Sequence, residues 1–214
     1  MSNFLKEHLI HRDQDFMVIN KPAGLLTVPG KTPELQDCVI NRLLVEESRT
    51  LLIHRLDRDT SGILVFALSR TGQRSISKQF QERETEKNYQ ALVAGHLNGQ
   101  GTIDIPVIYD PSRPPLHIVD PDYHKPALTH WEALEQFELN GEIVTRVKLI
   151  PVTGRAHQLR VHLQYLGHPI IGDTLYATEP QQQLMPRLCL HAQYLSFKHP
   201  QTNELISFSS PVPF

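Results

Sequence analysis

Apolar residues along this chain fall mostly into short runs broken by turn residues. Phe16-Met17-Val18-Ile19, Leu51-Leu52-Ile53 and Ile63-Leu64-Val65-Phe66-Ala67-Leu68 have the length and β-branched content of buried strands. Residues 87–96 form a further strand pattern that Gly95 ends, with Tyr89 and Leu92 on opposite faces by the period of two. Residues 127–137 and 142–152 read as a strand pair around Asn140-Gly141, a strong short hairpin signal. Tyr194–Lys198 and Leu205–Ser209 complete the strand patterns. Three stretches carry a helical period instead. Residues 33–47 align Val39, Leu43 and Leu44. Residues 71–83 place Ile76 and Phe80 on one face, with Arg70, Arg74 and Lys78 on another. From Thr153, placed to cap, to Gly167, placed to terminate, Leu159, Leu163 and Leu166 share one face, and His157, Arg160 and Gln164 another. Residues 106–126 hold six prolines together with Arg113 and Lys125, so a long loop or edge segment is expected there, a candidate for substrate contact.

Length and composition narrow the picture. The 214 residues are 40% hydrophobic and 21% charged, an ordinary balance for a soluble globular protein. No run approaches transmembrane length, and Met1–His8 lacks the apolar core of a signal peptide. Cys38 and Cys189 stand far apart, which points to a reducing cytoplasmic compartment rather than a disulfide framework. A net charge of -2 speaks against an indiscriminate nucleic-acid binder. A local basic patch remains compatible with RNA. The row Arg70, Arg74, Lys78 is either a solvated face or a track for phosphates.

The chemistry concentrates at residues 54–62, His54-Arg55-Leu56-Asp57-Arg58-Asp59-Thr60-Ser61-Gly62, set between two apolar strand patterns. A carboxylate held there beside two arginines suits a group that must stay ionised and aimed. The same composition also describes a surface turn with solvated charges. Seven of the nine positions match H-R-L-D-x-x-T-S-G, and the stretch resembles the catalytic motif of the RluA family of pseudouridine synthases. Asn20-Lys21-Pro22-Ala23-Gly24-Leu25 resembles that family's N-K-P-x-G-L segment, which implies a structural role. Lys87-Asn88-Tyr89 is similar to its K-x-Y motif, Gly154–Arg160 to its G-R-x-H-Q-L-R motif, and Leu188–Ala192 to its L-x-L-H-A motif. The likeness runs from about residue 12 to the C-terminus, with no room for the S4 RNA-binding domain that many members carry.

The resemblance implies one catalytic domain over 1–214. Its fold is α+β, a mixed, largely antiparallel sheet with flanking helices and a central active-site cleft. It implies Asp57 as catalytic carboxylate, Arg160 as its ion-pair partner and Tyr89 packed against the target uracil. The implied RNA-binding set is His54, Arg55, Arg58, Thr60, Arg155 and Leu190, with Arg55 filling the gap left by a flipped base and Leu190 lining the uracil pocket. The implied activity is isomerisation of uridine to pseudouridine in structured RNA by a cytoplasmic monomer, with no cofactor, no metal and no membrane. Residues 106–126 resemble the branch that modifies a 23S rRNA hairpin loop and the anticodon stem-loop of some tRNAs. A single-site tRNA branch is the near alternative. Two other classes share some of these features. Asp57-Arg58-Asp59-Thr60 partly matches the D-x-D-x-[TV] loop of magnesium-dependent phosphohydrolases, but Ser61 stands where Thr or Val is required and His54 and Arg55 separate it from the preceding strand. A catalytically silent RNA-binding module would not need every one of these residues. A zinc helix is also disfavoured, because His157 and His162 lie five apart, about 140° around a helix.

Overall fold

The computed structural model describes residues 4–214. In chain order these form α1 (Phe4–His8), β1 (Leu9–Arg12), β2 (Phe16–Lys21), α2 (Val39–Glu46), β3 (Leu51–Leu52), β4 (Ser61–Ala67), α3 (Arg70–Glu82) and β5 (Glu86–Ala94). There follow β6 (Gln100–Asp104), β7 (Val107–Tyr109), β8 (His117–Val119), β9 (Leu128–Leu139), β10 (Glu142–Pro151), α4 (Gln158–Tyr165), α5 (Glu179–Gln183), β11 (Leu190–Lys198) and β12 (Leu205–Ser209). The fold is mixed α+β with largely antiparallel pairing, as expected. Two compact units arise, one from the chain up to Lys87 together with Ala192–Pro213, the other from Asn88–His191 with Phe214. Among the described residues no helix is long and apolar enough to cross a membrane.

In the first unit the strands run β1-β2-β4-β11, with β12 on β11 and the short β3 on β4. Strand β4 is buried at all seven residues, which is why its sequence runs apolar without alternation. Its Ile63 and Val65 join Phe16, Val18, Leu195 and Phe197 on one face, packed against Ile76 and Phe80 of α3. Helix α3 starts one residue before the expected point, because the Ser69 side chain accepts the Gly72 N–H as an N-cap. The stretch expected to be one helix over 33–47 is divided. A 3-10 turn covers Pro33–Leu35. Cys38 is extended and bridges Leu26, so α2 begins only at Val39.

The second unit is a β5-β10-β9-β6 sheet. Helix α4 covers it through Leu159 and Leu163, which share a core with Ala91, Val93, Val147 and Leu149. Asn140 and Gly141 both take positive φ, 51° and 86°, as a two-residue turn between β9 and β10 requires. The 106–126 stretch is more ordered than its prolines indicate. β7 and β8 pair as a hairpin, and Asp110 accepts from the Ser112 N–H, the Ser112 hydroxyl and Arg113 Nε across its turn. Helix α4 starts later than expected. His157 takes φ 56° and interrupts the helical path. Thr153 therefore does not cap it: its hydroxyl accepts the Leu128 N–H and donates to Gln158 Oε1. Gly167 does end the helix, with paired bonds from Gly167 N–H to the Gln164 carbonyl and from His168 N–H to the Leu163 carbonyl.

Candidate active site

Asp57 lies on the loop between β3 and β4 in the first unit, half-buried. Its two neighbours in sequence are both tethered. The Thr27 hydroxyl, 2% exposed, donates to the Leu56 carbonyl at 2.7 Å and accepts the Leu56 N–H at 3.2 Å. Lys21, 0% exposed, reaches the Arg58 carbonyl at 2.8 Å, and also donates to the carbonyls of Pro22 and Leu25 at 2.8 and 2.7 Å. Three acceptors need three N–H groups, so this lysine is an ammonium. The carboxylate thus sits on a residue clamped from both sides, the preorganisation that a reacting group needs. Neither Lys21 nor Thr27 was assigned any chemistry from the sequence. A lysine placed directly before the Pro22 turn was the available signal.

Gly62 closes the loop onto β4 with φ 113°. A Cβ there would stand 2.2 Å from the Ala192 carbonyl oxygen, a clash with backbone that only glycine avoids.

The other motif residues divide by what they touch. Arg55 is exposed, and the nearby Asp59 is held by Arg58 through Nε at 2.9 Å and Nη2 at 3.2 Å. Thr60, expected among the RNA-binding residues, is 2% exposed, so its side chain offers almost no surface. His54, expected in the same set, is held from two sides. Its Nε2 accepts the Val65 N–H at 3.1 Å, and its ring stacks on Phe80 at 4.5 Å. Burial, and secondarily the charge of Lys87, push its pKa down to about 3. The ring is therefore neutral near pH 7 and fastens the catalytic loop to β4 rather than attracting phosphate.

This gives a pH prediction. The unfolded histidine titrates near 6.5 and the folded one near 3. The unfolded chain binds the extra proton between those values, so His54 contributes its full stability above about pH 6.5 and loses it progressively as pH falls towards 3. At pH 4.5 the loss is about 2–3 kcal/mol. Urea unfolding of the wild type and His54→Gln at pH 7.5 and 4.5 should show a smaller acid-induced drop in the variant. Equal drops would refute the assignment.

In the second unit Tyr89 is half-buried on β5, opposite Leu149 of β10. Arg155 donates from Nε to the Pro126 carbonyl at 3.1 Å, so it ties its loop to the segment before β9. Leu190 is 3% exposed and packs in the core with Leu188 and Cys189, which limits any RNA contact to a sliver of surface. Arg160, on α4, is 3% exposed and meets Asp173 through Nε and Nη2 at 2.7 and 2.6 Å, a partner the sequence reading missed. The row Arg70, Arg74, Lys78 on α3 is exposed, with Lys78 3.8 Å from Glu82.

Two histidine arrangements invite a metal reading, and hydrogen-bond geometry argues against both. His162 is bonded at both nitrogens, to the Thr129 hydroxyl and the Ile105 carbonyl, while His157 Nδ1 meets the Tyr176 hydroxyl. Asp13, Asp15 and His199 of the first unit lie within 4.8 Å of one another. His199 Nδ1, however, faces the N–H groups of Gln201 and Thr202, so it must accept. The proton then sits on Nε2, which donates to Asp13 at 3.2 Å and has no lone pair for an ion. The phosphohydrolase alternative fails on topology: β3 ends at Leu52, short of Asp57, and pairs antiparallel with the β4 that follows.

Comparison with known proteins agrees with this picture. A family model described as RNA pseudouridylate synthase matches residues 15–165. The chain is 48% identical over 207 residues to the dual-specificity RNA pseudouridine synthase RluA of Pasteurella multocida, covering 96% of this chain and 93% of that protein. It is 42% identical to the protein of the same name from Escherichia coli K12 over the same shares. Among solved structures it resembles human RNA pseudouridylate synthase domain containing 1, with a TM-score of 0.82, 32% identity and coverage of 97% of this chain and 84% of that one. With its motif aspartate clamped on a loop and its sequence similar to these enzymes over nearly its whole length, the chain belongs to the RNA pseudouridylate synthase family and is an RNA pseudouridine synthase, an isomerase.

Proposed function

We propose that this enzyme isomerises uridine in two kinds of RNA, a hairpin of large-subunit ribosomal RNA and the anticodon stem-loop of transfer RNA. The carrying observation is the likeness to dual-specificity relatives at 41–48% identity over 96% of the chain. The reaction breaks the C1′–N1 glycosidic bond, turns the uracil and joins C1′ to C5. C5 loses its proton and N1 gains one, so atoms balance without a redox partner or an external nucleophile. The base must leave its stack before C1′ is reachable. In this reading Asp57 assists departure of the base, as nucleophile or by taking a proton from the ribose. Arg160 is its counter-ion, Tyr89 supports the uracil ring by stacking, and Arg55 and Arg155 face RNA. The enzyme acts as a cytoplasmic monomer, and its two buried free cysteines suit a reducing compartment.

Tritium release from RNA labelled at uridine C5 tests this directly. Both an rRNA hairpin and a tRNA anticodon stem-loop should release tritium. Release from the tRNA stem-loop alone would make this a single-site enzyme, and release from neither would remove the proposal.

The role of Arg55 has its own test. Its side chain is exposed and Asp59 is already engaged by Arg58. A planar guanidinium can stack in the space that a flipped base vacates. Extrusion costs a few kcal/mol, least for an unpaired base, so Arg55→Ala should slow modification roughly 10–100-fold on a stacked target and much less beside a mismatch. Single-turnover mixing with 2-aminopurine next to the target reads both steps. Equal slowing on both substrates would remove the wedge role.

A further inference from the structure

Arg160 is held more elaborately than one buried ion pair requires. Asp173, 0% exposed, takes Nε and Nη2 in a two-pronged bond, and its Oδ1 also accepts the N–H groups of Leu175 and Tyr176 at 2.9 and 3.2 Å. The carboxylate is thereby fixed by its own turn before it fixes the arginine. From another side the Tyr176 ring lies 5.0 Å from the Arg160 guanidinium carbon, in cation–π range. That ring is pinned in turn. Its hydroxyl accepts the His117 N–H at 2.9 Å and is bonded to His157 Nδ1 at 2.7 Å. His157 reaches it from a left-handed backbone position, φ 56°, uncommon for a residue with a side chain. Two residues of the turn at 170–176 therefore hold the guanidinium, and His157 and the start of β8 hold the second of them, Tyr176.

A buried ion pair is weak evidence for stability, since apolar residues of similar volume often do as well. What a two-pronged bond and a pinned ring supply together is a fixed plane. We propose that Asp173 and Tyr176 are positioning residues: they fix the plane of the Arg160 guanidinium and so set the rate of isomerisation, without themselves touching RNA. This rests on the reading above that Arg160 serves Asp57. Their burial, 0% and 6% exposed, keeps both away from a docked RNA.

The test is a double-mutant cycle in single-turnover pseudouridine formation on the tRNA stem-loop, with enzyme in excess. Asp173→Asn removes the charge and Tyr176→Phe removes the hydroxyl anchor; each is made alone and together with Arg160→Lys. Each alone should lower the saturated rate, ~10–100-fold for Asp173→Asn and ~5-fold or more for Tyr176→Phe, as small misplacements of reacting groups do. The half-saturating enzyme concentration should stay within ~2-fold. In the Arg160→Lys background the same substitutions should change the rate by less than ~2-fold, because the group they position is gone. Undiminished, multiplicative losses in that background would overturn the proposal, as would weakened binding at an unchanged saturated rate. Should Asp173→Asn not melt cooperatively, Tyr176→Phe, which keeps the volume, decides alone: a wild-type saturated rate overturns the proposal. A wild-type enzyme inactive on both stem-loops, or an unimpaired Arg160→Lys, would mark failure of the parent reading instead.

Discussion

Asp57→Asn should abolish pseudouridine formation, a loss of roughly 10³-fold or more, on the scale that removal of a positioned catalytic group produces. The substitution preserves shape and removes only charge and nucleophilicity. The loop around it should hold, because its tethers are the Leu56 backbone on Thr27 and the Arg58 carbonyl on Lys21, neither of which uses the Asp57 side chain. RNA affinity should remain within a few-fold, since phosphate contacts supply most of it and one carboxylate supplies little. Tritium release and filter binding on the same stem-loop separate the two quantities. Turnover above a few per cent of wild type would mean that another group drives glycosidic cleavage.

That loop shows what local sequence conveys. Strand β4 could be read from Ile63 to Leu68, because a strand buried on both faces leaves an unbroken apolar run. The two-residue turn at Asn140-Gly141 was legible for a similar reason: few residues accept two consecutive positive φ angles. The candidate aspartate was legible through its motif. What fastens it was not. Lys21 and Thr27 lie about thirty residues upstream, and their partners are backbone carbonyls and N–H groups, which carry no residue identity to read. The Arg160–Asp173 pair was hidden differently, since a buried aspartate in a turn reads as an ordinary turn residue until its neighbour is known. His54 was legible only through its motif; that its ring stays neutral follows from its burial against Phe80, which no local pattern conveys. The split of the 33–47 helix was equally invisible, since the pairing of Cys38 with Leu26 is a tertiary contact that overrides helical periodicity.

Lys21→Met should cost the enzyme both stability and rate. Methionine fills much of the same volume, so the change isolates the ammonium. In the wild type that group is 0% exposed and answers the carbonyls of Pro22, Leu25 and Arg58. Its removal takes the donor from three part-buried carbonyls, at about 1–3 kcal/mol for each one left unsatisfied. Against this, the variant no longer buries a charge, which offsets part of the loss. The net is expected near 3–5 kcal/mol, the usual consequence of deleting one partner from a buried charged network, and a fall in Tm of about 6–20 °C for a chain of this size. Rate should fall even well below the new Tm. The Lys21 bond to the Arg58 carbonyl is then lost while Thr27 still grips Leu56, so the loop that carries Asp57 is held less firmly on its Arg58 side. Thermal melts and single-turnover tritium release at 20 °C, on Lys21→Met and on the wild type, measure the two losses separately. A lowered Tm with a wild-type rate would show that Lys21 supports only the fold. An unchanged Tm would show that the three carbonyls find other donors, and that Lys21 is not the clamp that fixes the catalytic loop.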